Sequence, residues 1–242
     1  MKIDYSTFTS PGERKYNEDS LAVAKKGKAY CFILCDGLGG HDKGDLASKL
    51  VVRTISQKFK ASENIDVFCK DAFETAQAEL LRTQQSLGNN IKMKTTAVLL
   101  AIEGNRCIVM HIGDSRLYRF RDGRIASRTL DHSVPQMLVM AGEIEENEIR
   151  SHPDRNKLLK AIGDNPNSFK YEMAEFDVRE GDAFLLCSDG FWEPITEFDI
   201  VSFLKISKNA KGWLGDMKRL AEKNGKGTSM DNFSAVAVMV KG

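Results

Sequence analysis

Acidic residues stand at the ends of apolar runs in this chain, in four short motifs: Asn17-Glu18-Asp19, Asp36-Gly37-Leu38-Gly39-Gly40, Ser188-Asp189-Gly190 and Asp231-Asn232. A fifth acid, Asp114, lies in Gly113-Asp114-Ser115-Arg116. Residues 30–35 read as a buried strand ending on Asp36, 183–187 as one leading to Asp189, and 107–112 as one leading to Asp114. Two more strands, 20–24 and 233–240, begin just after Asp19 and Asn232. Antiparallel neighbours set the end of one strand beside the start of the next, so such pairing would gather all five acidic positions on one rim. Carboxylates that close repel by roughly 1–4 kcal/mol per pair. A divalent cation removes that cost, and oxygen-only donors favour a hard ion such as Mg²⁺ or Mn²⁺.

Taken singly, each motif has a plainer reading as a turn, and the specificity lies in the ordered set. The glycines after Asp36 let backbone come close to a ligand. They do not form a phosphate loop, because no Gly-Lys-Ser/Thr follows, and Asp42 stands where a dinucleotide loop needs its third glycine. Gly113-Asp114-Ser115-Arg116 is not a serine-hydrolase elbow, since Leu117 replaces the second glycine. Arg14, four residues before Glu18, could grip a phosphate with two parallel hydrogen bonds beside such a rim. Of the four histidines, His41 is the candidate proton donor to a leaving group. His111 falls in a strand, and His132 and His152 are read as anchors of a polar lobe.

The elements that must position these groups follow from hydrophobic periodicity. Helical stripes cover 45–59 and 66–87, and strands are expected over 95–102, 105–112, 116–121 and 124–129, with Asp122-Gly123 as a hairpin turn. Residues 131–167 are polar, carry Pro135, Pro153 and Pro166, and read as a lobe inserted over the rim, with short helices near 134–140 and 145–150. Strands return at 169–176 and 183–187, followed by helices at 197–204 and 210–224 and the last strand. Helices clustered after blocks of strands point to an α+β fold of two packed sheets with helix pairs outside.

Bulk properties narrow the function classes. The 242 residues are 42% hydrophobic and 29% charged, and a net charge of +1 gives no general case for nucleic acid or an anionic membrane. No apolar stretch approaches a membrane span of about 20 residues, and the start lacks the marks of a signal peptide. The five cysteines are odd in number and form no Cys-x-x-Cys pair. They read as reduced core thiols of a cytoplasmic protein. Nothing in the sequence has the spacing of a zinc site.

The ordered set resembles the PPM/PP2C family of metal-dependent protein serine/threonine phosphatases, in its bacterial form. The resemblance rests on Arg14 with Asn17-Glu18-Asp19, Asp36-Gly37-Leu38-Gly39-Gly40-His41, Lys94-Thr95-Thr96, Gly113-Asp114-Ser115-Arg116 and Asp131-His132-Ser133. It continues through His152-Pro153-Asp154-Arg155-Asn156, Ala161-Ile162-Gly163, Ser188-Asp189-Gly190 and Asp231-Asn232. It implies a single domain over 1–242, a four-layer αββα sandwich of two antiparallel sheets flanked by helix pairs, with 131–167 as a flap that shapes substrate access. It further implies hydrolysis of phosphoserine and phosphothreonine in proteins by a water bridging two metal ions, Mg²⁺ or Mn²⁺, with a third ion in some members. Asp36 would bridge the two metals, the Gly37 carbonyl would bind one of them, and Asp189 and Asp231 would hold the other with Glu18 near it. Asp114 with Asp189 matches the third-ion position, and Arg14 matches the phosphate-binding arginine. Leu38 stands where many eukaryotic relatives carry a histidine assigned as general acid; His41 or a metal-bound water would have to serve instead. The implied partners are phosphorylated proteins and a serine/threonine kinase with its substrates, met by a monomer. A catalytically inactive member that only binds a partner is the alternative; it should have lost a metal carboxylate, yet Asp36, Asp189 and Asp231 are all present.

Overall fold

Strands with both faces buried dominate the chain's centre. The computed structural model describes residues 1–38, 43–88 and 92–242. Its first sheet contains β1 (Lys2–Ser10), β7 (Arg116–Arg121), β8 (Arg124–Arg128), β10 (Ala183–Cys187) and β11 (Phe233–Lys241), in the order β1-β11-β10-β7-β8. The second contains β2 (Asp19–Lys26), β3 (Ala29–Leu38), β5 (Ala97–Glu103), β6 (Arg106–Ile112) and β9 (Glu172–Asp177), in that order, with β4 (Lys94–Thr95) also paired to β3. Every pairing given for the two sheets is antiparallel.

The period of two along each strand sorts the core into layers. In β3, Phe32 and Leu34 face the other sheet and meet Phe184, Leu186, Val236 and Val238. The alternate residues Cys31, Ile33 and Cys35 face the helices α1 (Gly44–Ala61), α2 (Ile65–Cys69) and α3 (Ala72–Leu87). On the far side Leu185, Ala235 and Ala237 of the first sheet pack against α5 (Asp189–Trp192), α6 (Glu197–Ile206) and α7 (Ala210–Gly225). The result is helices, sheet, sheet, helices, as the block pattern of the sequence predicts. All five cysteines are buried and unpaired, so they act as small core hydrophobes. No helix among the described residues is long and apolar enough to cross a membrane.

The differences from the sequence reading are local. The stripe over 66–87 is two helices, because the chain leaves helical geometry at Asp71 (φ −146°) before α3 starts. The short α5 is too brief to show a periodic signal. Asp122-Gly123 is a tight turn with positive φ at both residues (52° and 68°), the geometry that suits the strands' twist. In the lobe, α4 (Val134–Met140) has Ser133 as its cap and Pro135 in its first turn, and a 3₁₀ helix follows at Glu146–Ser151.

Candidate metal and phosphate site

Register decides which acids meet. In the β2–β3 hairpin Asp19 lies directly opposite Asp36. Asp36 is fixed through its backbone: its N–H donates to Thr96 Oγ1 (3.0 Å), and its carbonyl accepts from Thr96 N (2.8 Å) and Thr95 Oγ1 (2.8 Å). The next residue must be glycine. A Cβ on Gly37 would lie 2.2 Å from the Gly44 carbonyl oxygen and 2.8 Å from that of Glu18. The hairpin and the start of α1 therefore meet backbone to backbone.

The first sheet delivers the other acids at the same edge. Asp189 opens α5 directly after β10, and its carboxylate accepts from Gly190 N (2.6 Å). Asp231 precedes β11, and Asn232 ties that strand to the loop before β2. Asn232 Oδ1 accepts from Glu18 N (2.7 Å), while its amide donates to the carbonyls of Pro11 (3.0 Å) and Tyr16 (2.8 Å). Ser188 Oγ links the sheets by donating to Asp19 Oδ2 (2.8 Å) and accepting from Ser234 N (3.0 Å). Asp114 lies buried in the loop between β6 and β7.

The electrostatics are those of negative charges crowded away from water. Burial, then the charges of Asp19, Asp189, Asp114 and Asp231, push the Asp36 carboxyl well above the usual carboxylate range. Burial and Asp189 do the same to Asp114, and burial with Asp231 raises Asp189. Burial lifts Asp19 to about 7 despite the Ser234 and Ser188 hydroxyls. Asp19 Oδ1 is buried and has no hydrogen-bond partner. Asp36, Asp189 and Asp231 remain partly open to solvent, so the cluster has a buried floor and an accessible mouth. An orphaned carboxylate oxygen among mutually repelling acids, beside a backbone with no room for a side chain, fits a hard divalent cation held by oxygen donors.

Arg14 stands at the mouth, its Nη2 3.0 Å from Asp231 Oδ2, with both side chains about half exposed. Such a contact leaves the guanidinium's other donors free to face a ligand. Glu18, next to Asp19, turns its carboxylate toward the start of α1, where a Cβ on Gly44 would meet Glu18 Oε1 at 2.6 Å. The structure thus gathers Asp36, Asp114, Asp189 and Asp231, with Gly37 and Arg14 beside them, and sets Glu18 at the helix end. His41 lies outside the described residues.

Three further residues join the rim beyond the site candidates assigned from the sequence. Asp19 has just been described. Glu193 follows Asp189 by four residues, a helical spacing that puts both on one face. Burial and Asp189 raise its carboxyl to about 7. Arg155 of the lobe meets Glu193 at 3.2 Å, and its motif was visible in the sequence although its partner was not.

Behind Asp114, His132 anchors the lobe as its position suggested. Gly113 N donates to His132 Nδ1 (3.1 Å), and His132 N donates to the Gly113 carbonyl (2.9 Å). His111, His132 and Glu172 hold donor atoms within 4.8 Å of one another. The two imidazoles stack almost parallel, at 11°, so their in-plane lone pairs do not converge on one point. His132 Nδ1 already accepts a hydrogen bond, which leaves the proton on Nε2, toward Glu172 (3.4 Å). Burial lowers both imidazole pKa values, His132 to about 4, so the pair is a neutral support for the Asp114 loop.

Comparison with known proteins places the chain in a family. The sequence profile described as Protein phosphatase 2C matches residues 12–224. The chain belongs to the protein phosphatase 2C family. It is 33% identical over 229 residues to the serine/threonine protein phosphatase PstP of Mycobacterium tuberculosis, covering 94% of this chain and 43% of that protein. The chain therefore spans less than half of that relative's length. Among solved structures it is similar to the Streptococcus agalactiae serine/threonine phosphatase, at TM-score 0.88 and 29% identity over 99% of this chain and all of that one. It is also similar to the PstP catalytic domain in complex with 2 manganese ions, at TM-score 0.84 and 27% identity over 99% of each chain. The αββα layering is thus the layering of bacterial phosphatase 2C enzymes.

Proposed function

We propose that this chain is a divalent-metal-dependent protein phosphatase that hydrolyses phosphoserine and phosphothreonine in phosphorylated proteins. One observation carries the reading: five carboxylates from two sheets, Asp19, Asp36, Asp114, Asp189 and Asp231, crowd one recess beside an arginine. Asp36, the Gly37 carbonyl, Asp189 and Asp231 would hold two Mg²⁺ or Mn²⁺ ions, Asp114 with Asp189 would hold a third, and Glu18 would support the set from the start of α1. When bound, such ions activate water as a nucleophile and neutralise developing charge on phosphorus oxygens. The remaining work belongs to the chain. Arg14, already at the mouth, would pair with two phosphate oxygens and orient the phosphorus for in-line attack. Presence of every carboxylate in the recess favours a working enzyme over an inactive binding module. His41 stays a proposed proton donor to the leaving alcohol.

The test is hydrolysis of an aryl phosphate and of a phosphothreonine peptide at several Mn²⁺ concentrations. Turnover should require the ion and stop on chelation; turnover that persists in chelator sinks the reading. Arg14→Ala should raise KM for the phosphopeptide about tenfold or more with a smaller change in kcat, as expected for a lost charge-assisted bond of about 1.5–3 kcal/mol. An unchanged KM would remove Arg14 from phosphate binding.

A further inference from the structure

Trp192 is the last residue of α5, which Asp189 opens, and its side chain is 2% exposed. Its indole Nε1 donates to the backbone carbonyl of Asp114 (3.1 Å). One side chain therefore joins the helix that carries Asp189 to the loop that carries Asp114. Two guanidiniums lie against the same ring, with Cζ of Arg116 3.4 Å and that of Arg150 5.3 Å from its centre. Both report to the lobe. Arg116 makes a buried two-pronged ion pair with Asp131, at 2.9 and 2.7 Å, where the lobe leaves the first sheet. Arg150 sits in the 3₁₀ helix of the lobe, donates to the Trp192 carbonyl, and pairs with Glu197 (2.6 Å). Glu197 in turn accepts from Tyr118 Oη (2.8 Å).

Arg116, Arg150, Tyr118 and Glu197 line a cleft of about 690 Å³ between the lobe, β7 and α6, but its three arginines, Arg116, Arg128 and Arg150, are matched by Asp131, Glu146 and Glu197. With every guanidinium already paired to a carboxylate, the cleft is a set of ties rather than an anion site. Ties of this kind matter most beside a small hard cation, whose near-ideal octahedral geometry tolerates little change in ligand spacing. Groups that orient metal ligands commonly control affinity by 10–100-fold.

We propose that Trp192, braced by Arg116 and Arg150, is a positioning residue through which the lobe sets the spacing of Asp114 and Asp189 and hence the affinity for the cation those two carboxylates hold. The inference rests on the proposed metal reading of the recess. Trp192→Phe removes the indole N–H and keeps an aromatic ring. Arg150→Lys keeps the charge and loses the planar contact, and it alters the brace without touching the Trp192–Asp114 bond.

The experiment is calorimetric titration of the full chain with Mn²⁺ alone, with Asp114→Asn marking which class of bound ions depends on Asp114. Trp192→Phe and Arg150→Lys should each weaken that class about tenfold or more and leave the remaining ions unmoved. In the Asp114→Asn background Trp192→Phe should add nothing, because the two act on one site. Variant isotherms that overlay the parent's, or that weaken every class in parallel, overturn the inference while leaving the metal reading intact. A parent that takes up no Mn²⁺ removes both. An Asp114→Asn isotherm equal to the parent's overturns the positioning role by removing the ion it acts on.

Discussion

Asp36→Asn should lower turnover of an aryl phosphate by at least about a thousandfold, yet make the metal-free protein harder to unfold. The two effects have one cause. Asp36 is the carboxylate on which four others act, Asp19, Asp189, Asp114 and Asp231. In a cation-loaded recess its charge is indispensable, because metal assistance is worth several kcal/mol of transition-state stabilisation and each 1.36 kcal/mol is tenfold in rate. In the empty recess the same charge is only repulsion and desolvation cost. Asparagine keeps the shape and leaves the backbone bonds to Thr95 and Thr96 in place, since those use the Asp36 N–H and carbonyl. The measurement is paired: steady-state hydrolysis with saturating Mn²⁺, and thermal unfolding in chelator at neutral pH. Near-parental turnover would remove Asp36 from the reaction. A lower unfolding midpoint would show that the recess does not store the repulsion described.

That opposition explains how much of the site can be read from sequence. Acids at strand ends announce a rim because antiparallel pairing must bring strand ends together, and the apolar runs of β3, β5, β10 and β11 are plain in the sequence. What a sequence cannot show is the register. Adjacent strand residues point to opposite faces, so choosing between Glu18 and Asp19 depends on which lies across from Asp36. The pairing Asp19↔Asp36 sets Asp19 beside Asp36 and leaves Glu18 toward the start of α1, and only coordinates supply it. The bond from Trp192 to Asp114 is hidden for a similar reason. The two residues are 78 positions apart and meet through a side chain donating to a backbone carbonyl, which imposes no pattern on residue types. Helix boundaries suffered from the opposite problem, a strong local pattern. The apolar stripe through 66–87 runs across the break at Asp71, because α2 and α3 both turn buried faces to the second sheet.

The metal-free protein should lose stability as pH rises above about 6.5, and divalent cation should restore it. Asp19, Asp36, Asp114 and Asp189 all have folded-state pKa values above the ordinary carboxylate value of 3.8. A carboxyl raised by folding binds its proton more tightly in the native state. Its contribution is therefore complete at low pH and is lost between the unfolded and the folded pKa. For Asp19 that window runs from 3.8 to about 7, and for Asp36 and Asp114 it extends beyond the usual carboxylate range. The histidine pair works in the other direction. His111 and His132 are lowered from 6.5, His132 to about 4, so the native state gains from them as pH rises toward 6.5 and nothing more after that. Glu197, where burial opposes but Arg150 prevails, is also lowered, and its gain is over by the ordinary glutamate pKa. Above about pH 6.5 the raised acids, with Glu193 at about 7, set the slope until the five buried thiols, which folding also raises, join them as unfolded cysteines begin to ionise above about pH 8. Each site can contribute up to about 1.4 kcal/mol per pH unit, and in a chain of this size 1 kcal/mol moves the midpoint by about 2–4 °C. Thermal unfolding in chelator from about pH 6.5 to 7.5, below the range where unfolded cysteines ionise, should thus fall by several degrees. In Mn²⁺ the slope should flatten or reverse, because the ion competes with protons for the same oxygens and binds only the folded chain tightly. A chelated midpoint that stays level across the window would mean that these acids are not crowded together, and the cation site would lose its physical basis.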